Sequence, residues 1–294
     1  MKPKNLSAIA SKSVGFASTR NKKLRINFWQ SIAQGVAPDG GLLVPTTLPK
    51  IPTSLLSNQN FWKNSSISDI SSLLHRLFIP RGEISDTDLA KMMSRAHNFD
   101  LPLEKLDDQT FILRIDTGPT ASFKDVAARS LAALLDEYCK KFNTVINIVV
   151  ATSGDTGVAI ADAFGGSKKV TVTILYPSGG VSEIQEKQMI QVDKQYNNIQ
   201  AIPILGNFDV CQDIAKLLQG AREITVNEDK KIKSFIEETQ SKLGKKISRS
   251  DTEEIIKIVA GLHLSSANSI NIWRLIPQMT QYFVAYSKLI NSKK

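Results

Sequence analysis

The sequence has few residues that bind metals or form disulfides. Its 294 residues include two cysteines, Cys139 and Cys211, which lie far apart and outside any CxxC spacing. This pattern provides neither a disulfide framework nor a zinc knuckle, and it is typical of a protein from a reducing compartment. The three histidines, His75, His97 and His263, are also isolated from one another in sequence. We therefore predict no metal site and a cytoplasmic location.

Long hydrophobic runs are absent as well. A helix that crosses a bilayer needs about 20 consecutive apolar residues. The most apolar stretch, residues 145–151, has only the length of a strand and is interrupted by Asn147. With 42% hydrophobic residues, however, the chain can bury a full core. We predict a globular protein without a membrane role.

Acidic residues are missing from the first 38 positions, and the first carboxylate is that of Asp39. Segment 1–20 is rich in serine and basic residues, a composition that transit peptides share, but it has no clear apolar face. We interpret residues 1–15 as a disordered tail.

The net charge of +9 is compatible with a nucleic acid, an anionic surface or an anionic small substrate as partner. In residues 228–257, however, the lysines are interleaved with glutamates and aspartates, as is typical of a solvated helix face. This distribution argues against nucleic acid.

The pattern of apolar residues changes near residue 111. Before it, helices are predicted around residues 25–34, 61–78 and 86–97, the last with Ser85 as N-cap. After it, helices alternate with four predicted strands, at 111–115, 144–151, 170–176 and 199–205. Such alternation predicts right-handed crossovers and an open, mostly parallel sheet. Ser182 and Asp209 resemble N-caps of two further helices. Beyond about residue 221 the chain looks mainly helical and ends in a helix at 271–290.

This organisation predicts three segments after the tail. Residues 16–110 form a mainly helical N-terminal domain, and residues 111–210 form the α/β domain. Residues 211–294 form the mainly helical start of a C-terminal domain.

A glycine- and hydroxyl-rich loop, TSGDTG at 152–157, follows the most apolar strand and opens a helix. Ligands of such sheets bind outside the carboxyl ends of the strands, and a helix N-terminus attracts anions. Backbone amides and the hydroxyls of Thr152, Ser153 and Thr156 would bind a carboxylate or a phosphate there. An ordinary capped helix start explains the same spacing equally well.

Lys124 lies in a second loop, GPTASFKD at 118–125. A lysine performs covalent catalysis only when its amine is neutral. The apolar neighbours Phe123, Val126 and Ala127 and the helix N-terminus favour the neutral form. Lys124 is thus a candidate Schiff-base lysine, although most lysines near helix starts are simply exposed.

Taken together, these motifs resemble those of the threonine synthase family of fold-type-II pyridoxal-phosphate enzymes. The resemblance extends over about residues 16–285 and is carried by an ordered series: APDGGL at 37–42, GPTASFKD, ATSGDTG, EIQEKQM at 183–189, GNFD at 206–209 and SANSIN at 266–271. It implies an α/β fold similar to that of the tryptophan synthase β subunit, with an open, mostly parallel sheet and flanking helices.

The resemblance also implies an activity, a cofactor and a site. The activity is conversion of O-phospho-L-homoserine, a small-molecule substrate, and water to L-threonine and phosphate, with pyridoxal 5'-phosphate as cofactor. Lys124 corresponds to the catalytic lysine that binds the cofactor and moves protons at the α and β carbons of the substrate. Asp155 and Asn268 correspond to residues near the cofactor. The substrate-binding residues are Thr152, Ser153 and Thr156.

Two features depart from the family pattern. Thr117 replaces the histidine that commonly precedes Gly-Pro-Thr. Family members also continue much further and carry a later glycine-rich loop that cradles the phosphate of the cofactor, whereas this chain ends at Lys294. We expect the chain to be C-terminally incomplete and to lack this loop.

Two alternatives stay open at this point. One is a phospho-lyase on the same scaffold, which gives 2-oxobutyrate instead of threonine. The other is a non-catalytic remnant or interaction protein that has lost the phosphate cradle.

Overall fold

A computed structural model describes Leu6, Ile9 and residues 14–221, 224, 226–244, 248–259 and 262–292. The chain divides into two units, Met1–Phe142 with Ala267–Lys294, and Asn143–Ser266. These boundaries differ from the predicted ones after residues 110 and 210. No helix in the described ranges is long and apolar enough to cross a membrane.

The helices and strands follow one another in three stretches. The first unit begins with β1 Phe16–Ser18, α1 Phe28–Gln34, β2 Leu43–Pro45, α2 Thr53–Leu56, α3 Gln59–Asn64, α4 Ile67–Phe78, α5 Asp86–Ala96, β3 Leu103–Lys105, β4 Phe111–Leu113 and α6 Asp125–Lys141. The second unit contains β5 Ile146–Ala151, α7 Asp155–Phe164, β6 Val170–Pro177, α8 Glu183–Gln195, β7 Ile199–Ile204, α9 Phe208–Ala221, α10 Asp229–Leu243, α11 Arg249–Val259 and β8 Leu264–Ser265. The chain returns to the first unit with α12 Ile272–Gln278 and α13 Thr280–Ser292.

The second unit is built on a four-stranded parallel sheet in the order β7-β6-β5-β8. The central strand β5 pairs along its whole length with β6, from Ile146 opposite Val170 to Ala151 opposite Leu175. Helix α9 packs on β5 and β6, and α10 and α11 pack against α9. The predicted α/β fold with an open parallel sheet is confirmed.

One strand of the predicted sheet was assigned wrongly. Strand β4, predicted as part of the parallel sheet, pairs antiparallel with β3 in a two-stranded sheet of the first unit. The fourth strand of the parallel sheet is β8, which pairs with β5 only at Asn147 and Ile148. Two residues are too few to produce a recognisable strand pattern in the sequence.

Helix caps explain further differences at the helix ends. The predicted helix at 61–78 is two helices, because Ser66 forms a capping box with Asp69 and starts α4. The caps predicted at Ser85 and Ser182 are confirmed. The cap predicted at Asp209 is wrong, because α9 already starts at Phe208. The Asn207 side chain precedes the helix and accepts a hydrogen bond from Val210 N in its first turn.

The first unit packs around α6, which contacts α1, α5 and α12. Trp273 of α12 is fully buried, and its ring centroid lies 5.7 Å from that of Phe16 and 5.2 Å from that of Phe28. The Trp273 Nε1–H also donates to Ser31 Oγ at 2.8 Å. The final segment of the chain is thus part of the core of the first unit, which explains why the predicted boundaries differ from the observed ones.

Most of the predicted disordered tail lies outside the described residues. Four of its positions, Leu6, Ile9, Val14 and Gly15, are described, and the first three are buried. The guanidinium of Arg81 donates to the carbonyls of Leu6 and Ile9.

Candidate active-site segments

Lys124 directly precedes α6 and is partly buried. Its Nζ lies 4.3 Å from the centroid of the Phe123 ring, and Phe123 is 39% exposed. The preceding loop is tightly folded, since Ala121 adopts a left-handed conformation with φ 55° and its amide donates to Gly118 O at 3.0 Å. A left-handed conformation is uncommon for alanine, so the surrounding contacts must hold the loop in place.

Asp125 provides those contacts. Its carboxylate is 1% exposed and accepts hydrogen bonds from Thr120 N at 2.9 Å and Thr120 Oγ1 at 2.5 Å. A Cβ atom on Gly118 would lie 2.3 Å from Asp125 Oδ2, so the loop passes over the carboxylate at a distance that only glycine allows. The site residues predicted from the sequence did not include Asp125. The available signal was an acidic residue immediately after Lys124 and five residues after Thr120.

The segment that contains Asn268 leads into α12. Asn268 is partly exposed, and its carbonyl accepts from the amide of Asn271 at 3.0 Å. Asn271 is fully buried and caps α12 by accepting from Trp273 N at 2.9 Å. At the other end of α12, Gln278 Nε2 donates to Phe123 O at 3.0 Å. Helix α12 therefore supports the loop before Lys124.

The loop at 152–157 lies in the second unit, between β5 and α7. Helix α7 begins at Asp155, so Asp155, Thr156 and Gly157 form its first turn. Gly154 has φ 140°, a conformation that L side chains rarely adopt. The loop therefore needs a glycine at this position.

Thr152 shapes this loop from the inside. Its hydroxyl accepts from the amides of Gly154 at 3.0 Å and Gly157 at 2.8 Å and donates to Gly154 O at 3.1 Å. The side chain is buried, with 1% exposure for the residue. This geometry disagrees with the prediction that Thr152 binds substrate directly, because its hydroxyl is inaccessible and already makes three hydrogen bonds.

The outer side of the same loop is open. Ser153 is exposed and Thr156 partly exposed, and neither hydroxyl has a hydrogen-bond partner within the described part of the chain. Asp155 is exposed, and its Oδ1 accepts a hydrogen bond from Gln185 Nε2 of α8 at 2.5 Å. The start of α7 favours an anion on this side of the loop, whereas the exposed carboxylate of Asp155 opposes one.

The six predicted site residues thus fall in both units. Lys124 and Asn268 belong to the first, and Thr152, Ser153, Asp155 and Thr156 belong to the second. The described residues contain no group of three or more histidine, cysteine or acidic side chains that could hold a metal ion.

Comparison with known proteins decides the family. A model of the threonine synthase N terminus matches residues 15–97. The threonine synthase of Saccharomyces cerevisiae is 31% identical over 296 residues, which cover 95% of this chain and 50% of the yeast enzyme. That of Buchnera aphidicola from Acyrthosiphon pisum is 34% identical over 276 residues, which cover 94% of this chain and 54% of the relative.

The chain belongs to the threonine synthase family. It spans about half the length of the curated relatives that it matches.

Solved threonine synthases share the fold. The yeast structure superposes with a TM-score of 0.73 at 31% identity. The match covers 97% of this chain and 52% of the yeast chain. A pyridoxal-phosphate-bound threonine synthase from Brucella melitensis gives a TM-score of 0.70 at 31% identity. This match covers 94% of this chain and 52% of the Brucella chain. The predicted fold-type-II architecture is confirmed by these neighbours.

The departure at Thr117 has a local structural consequence. Its Oγ1 donates to the carbonyl of Asp100 at 2.5 Å. This hydrogen bond connects the start of the Lys124 loop to the segment that follows α5.

Proposed function

We propose that this protein takes part in threonine synthesis by converting O-phospho-L-homoserine and water to L-threonine and phosphate. The observation that carries the proposal is the position of Lys124 at the start of α6, in a chain with the sequence motifs and fold of threonine synthases. The roles of the other predicted site residues are proposed from the same reaction.

The cofactor implied by this function is pyridoxal 5'-phosphate, which supplies an electron sink when bound. The chemistry of Lys124 fits the aldehyde of this cofactor. Lys124 offers a partly buried primary amine, the group that bonds covalently to an aldehyde, on a loop fixed by Asp125 and Gln278. Lys124 would hold the cofactor through Nζ, and Asp155 and Asn268 would contribute polar contacts to it.

Lys124 is also the proposed catalytic base and acid. Its amine would take the proton from the α carbon of the substrate and exchange protons at the β carbon. The reaction as a whole releases phosphate from the γ carbon and adds water at the β carbon.

The loop at 152–157 is proposed to bind the carboxylate of the substrate. Ser153 and Thr156 provide hydroxyls and backbone amides on the open side, and the positive end of the α7 dipole favours the anion. Thr152 contributes indirectly, because its hydroxyl accepts hydrogen bonds from the amides of Gly154 and Gly157 and thereby fixes the shape of the loop.

The proposed setting is the cytoplasm, with a small-molecule substrate. Cys139 and Cys211 are both buried, and neither forms a disulfide in the described part of the chain, which is compatible with a reducing compartment.

A product assay tests the function. Full-length chain loaded with pyridoxal 5'-phosphate is incubated with O-phospho-L-homoserine, and phosphate, threonine and 2-oxobutyrate are quantified. We expect phosphate and threonine in equal amounts, and neither from the Lys124→Ala variant. Phosphate with 2-oxobutyrate would replace the proposal by a phospho-lyase, and absence of phosphate release from the loaded wild type would contradict both.

A further inference from the structure

One face of α8 fits onto the start of α7. Gln185 and Met189 lie four residues apart on α8 and therefore on the same helix face. A Cβ atom on Gly154 would lie 2.3 to 2.7 Å from three atoms of the Gln185 amide, and one on Gly157 would lie 2.7 Å from Met189 Sδ. Two glycines of the loop thus accommodate two side chains of the 183–189 motif.

The amide of Gln185 is oriented by its own helix start. Its Oε1 accepts from Ser182 N at 3.4 Å, as part of the capping box of α8, and also from Ser182 Oγ at 2.9 Å. The Nε2 group consequently faces the loop and donates to Asp155 Oδ1 at 2.5 Å. Gln185 therefore connects the cap of α8 to the first turn of α7.

We infer that Gln185 is the positioning residue of the 152–157 loop, and that its N–H group offsets the charge of Asp155 so that a substrate carboxylate can bind beside it. The second half of this inference rests on the proposed function. The electrostatic reason is that an aspartate at a helix start repels an incoming anion and competes with it for the same donors. A donated hydrogen bond fixes the aspartate and partly neutralises it.

The test uses Gln185→Met, which keeps the length of the side chain and its cover over Gly154 but removes the donor. The matched control is Gln191→Met, the same change at an exposed position of α8. Hydrogen exchange of the 152–157 backbone is measured in the full chain of each variant. Affinity for O-phospho-L-homoserine is measured by calorimetry on the same proteins, and Gln185→Met is repeated in an Asp155→Asn background.

We expect Gln185→Met alone to speed exchange in the loop and to weaken binding by about tenfold, the order expected for one hydrogen bond to a charged group. Asp155→Asn should restore binding to Gln185→Met, because it removes the charge that the Gln185 N–H group partly offsets in the wild type. A merely structural role of Gln185 would not give this rescue.

Unchanged exchange in Gln185→Met would overturn the inference whatever the binding result. Faster exchange with unaltered binding, or with no rescue by Asp155→Asn, would overturn the electrostatic part. If wild type does not bind O-phospho-L-homoserine but exchange rises only in Gln185→Met, the positioning role is supported and the proposed function is what fails.

Discussion

The buried carboxylate of Asp125 is the residue-scale feature on which the Lys124 loop depends. It receives two hydrogen bonds from Thr120, and Gly118 leaves room for it. Asp125→Ala should lower the free energy of unfolding by about 2–3 kcal/mol, because it leaves two partly buried donors of Thr120 without their acceptor. Urea denaturation measures this loss.

Glu137→Ala provides the control on the same helix. Glu137 lies 4.0 Å from Lys140 in a solvent-exposed ion pair, so its removal should change stability by less than about 0.5 kcal/mol. Equal effects of the two substitutions would show that Asp125 does not hold the loop.

Single residues differed in how well the sequence predicted their positions. The sequence placed Lys124 at a helix start because an apolar helical pattern follows it directly. It assigned Thr152 to ligand binding because Ser and Thr in a glycine loop look alike, whereas the structure shows that its hydroxyl faces inward. Gln185 was not predicted as a site residue because its partner Asp155 is distant in sequence. Such contacts depend on how two helices pack.

At the scale of elements, two histidines connect α4, α5 and α6. Ser71 Oγ lies 3.3 Å from His75 Nδ1 and 3.0 Å from His97 Nε2, and Ser130 Oγ lies 3.0 Å from the same His97 nitrogen. Burial is the main cause that lowers the pKa of His75 to about 4 and that of His97 to about 3. The nearby His75 and, to a smaller extent, Arg129 also lower the pKa of His97.

This packing predicts a loss of stability in mild acid. Both folded-state pKa values lie below the ordinary value of 6.5, so the unfolded chain takes up protons first as the pH falls. The stabilisation is complete above about pH 6.5 and is lost as the pH falls towards 4. Between pH 7.5 and 5, the free energy of unfolding should fall by about 2 kcal/mol per histidine.

Urea unfolding at the two pH values measures this loss, and His97→Gln serves as the comparison. The variant should lose about half as much stability over the same interval, because one titrating group is gone. Carboxylate titration contributes equally to both proteins and cancels. Identical losses in wild type and variant would contradict the assignment to the buried histidines.

Elements were predictable where their pattern is long. Strand β5 has a continuous apolar run, and α8 has a capping box, so both were found. Strand β8 has two residues and owes its conformation to pairing with β5, which no local pattern records. The predicted helix at 271–290 is two helices, α12 and α13, and α12 contains Pro277.

At the scale of the whole molecule, the order of the chain does not follow the order of the units. Trp273 lies in a core with Phe16 and Phe28, more than 240 residues earlier in sequence. Boundaries predicted from shifts in local pattern therefore could not locate the return of the chain to the first unit. The family resemblance, in contrast, depends on motifs spread along the chain and predicted the fold class correctly.

The most direct test of the account is covalent labelling of the whole chain. The protein is incubated with pyridoxal 5'-phosphate and reduced with borohydride, and the modified lysines are identified by peptide mass spectrometry. We predict one dominant pyridoxyl-modified residue, Lys124, and loss of this label in Lys124→Ala. Labelling spread over exposed lysines such as Lys140 and Lys187, and unchanged in total in Lys124→Ala, would contradict the role of Lys124.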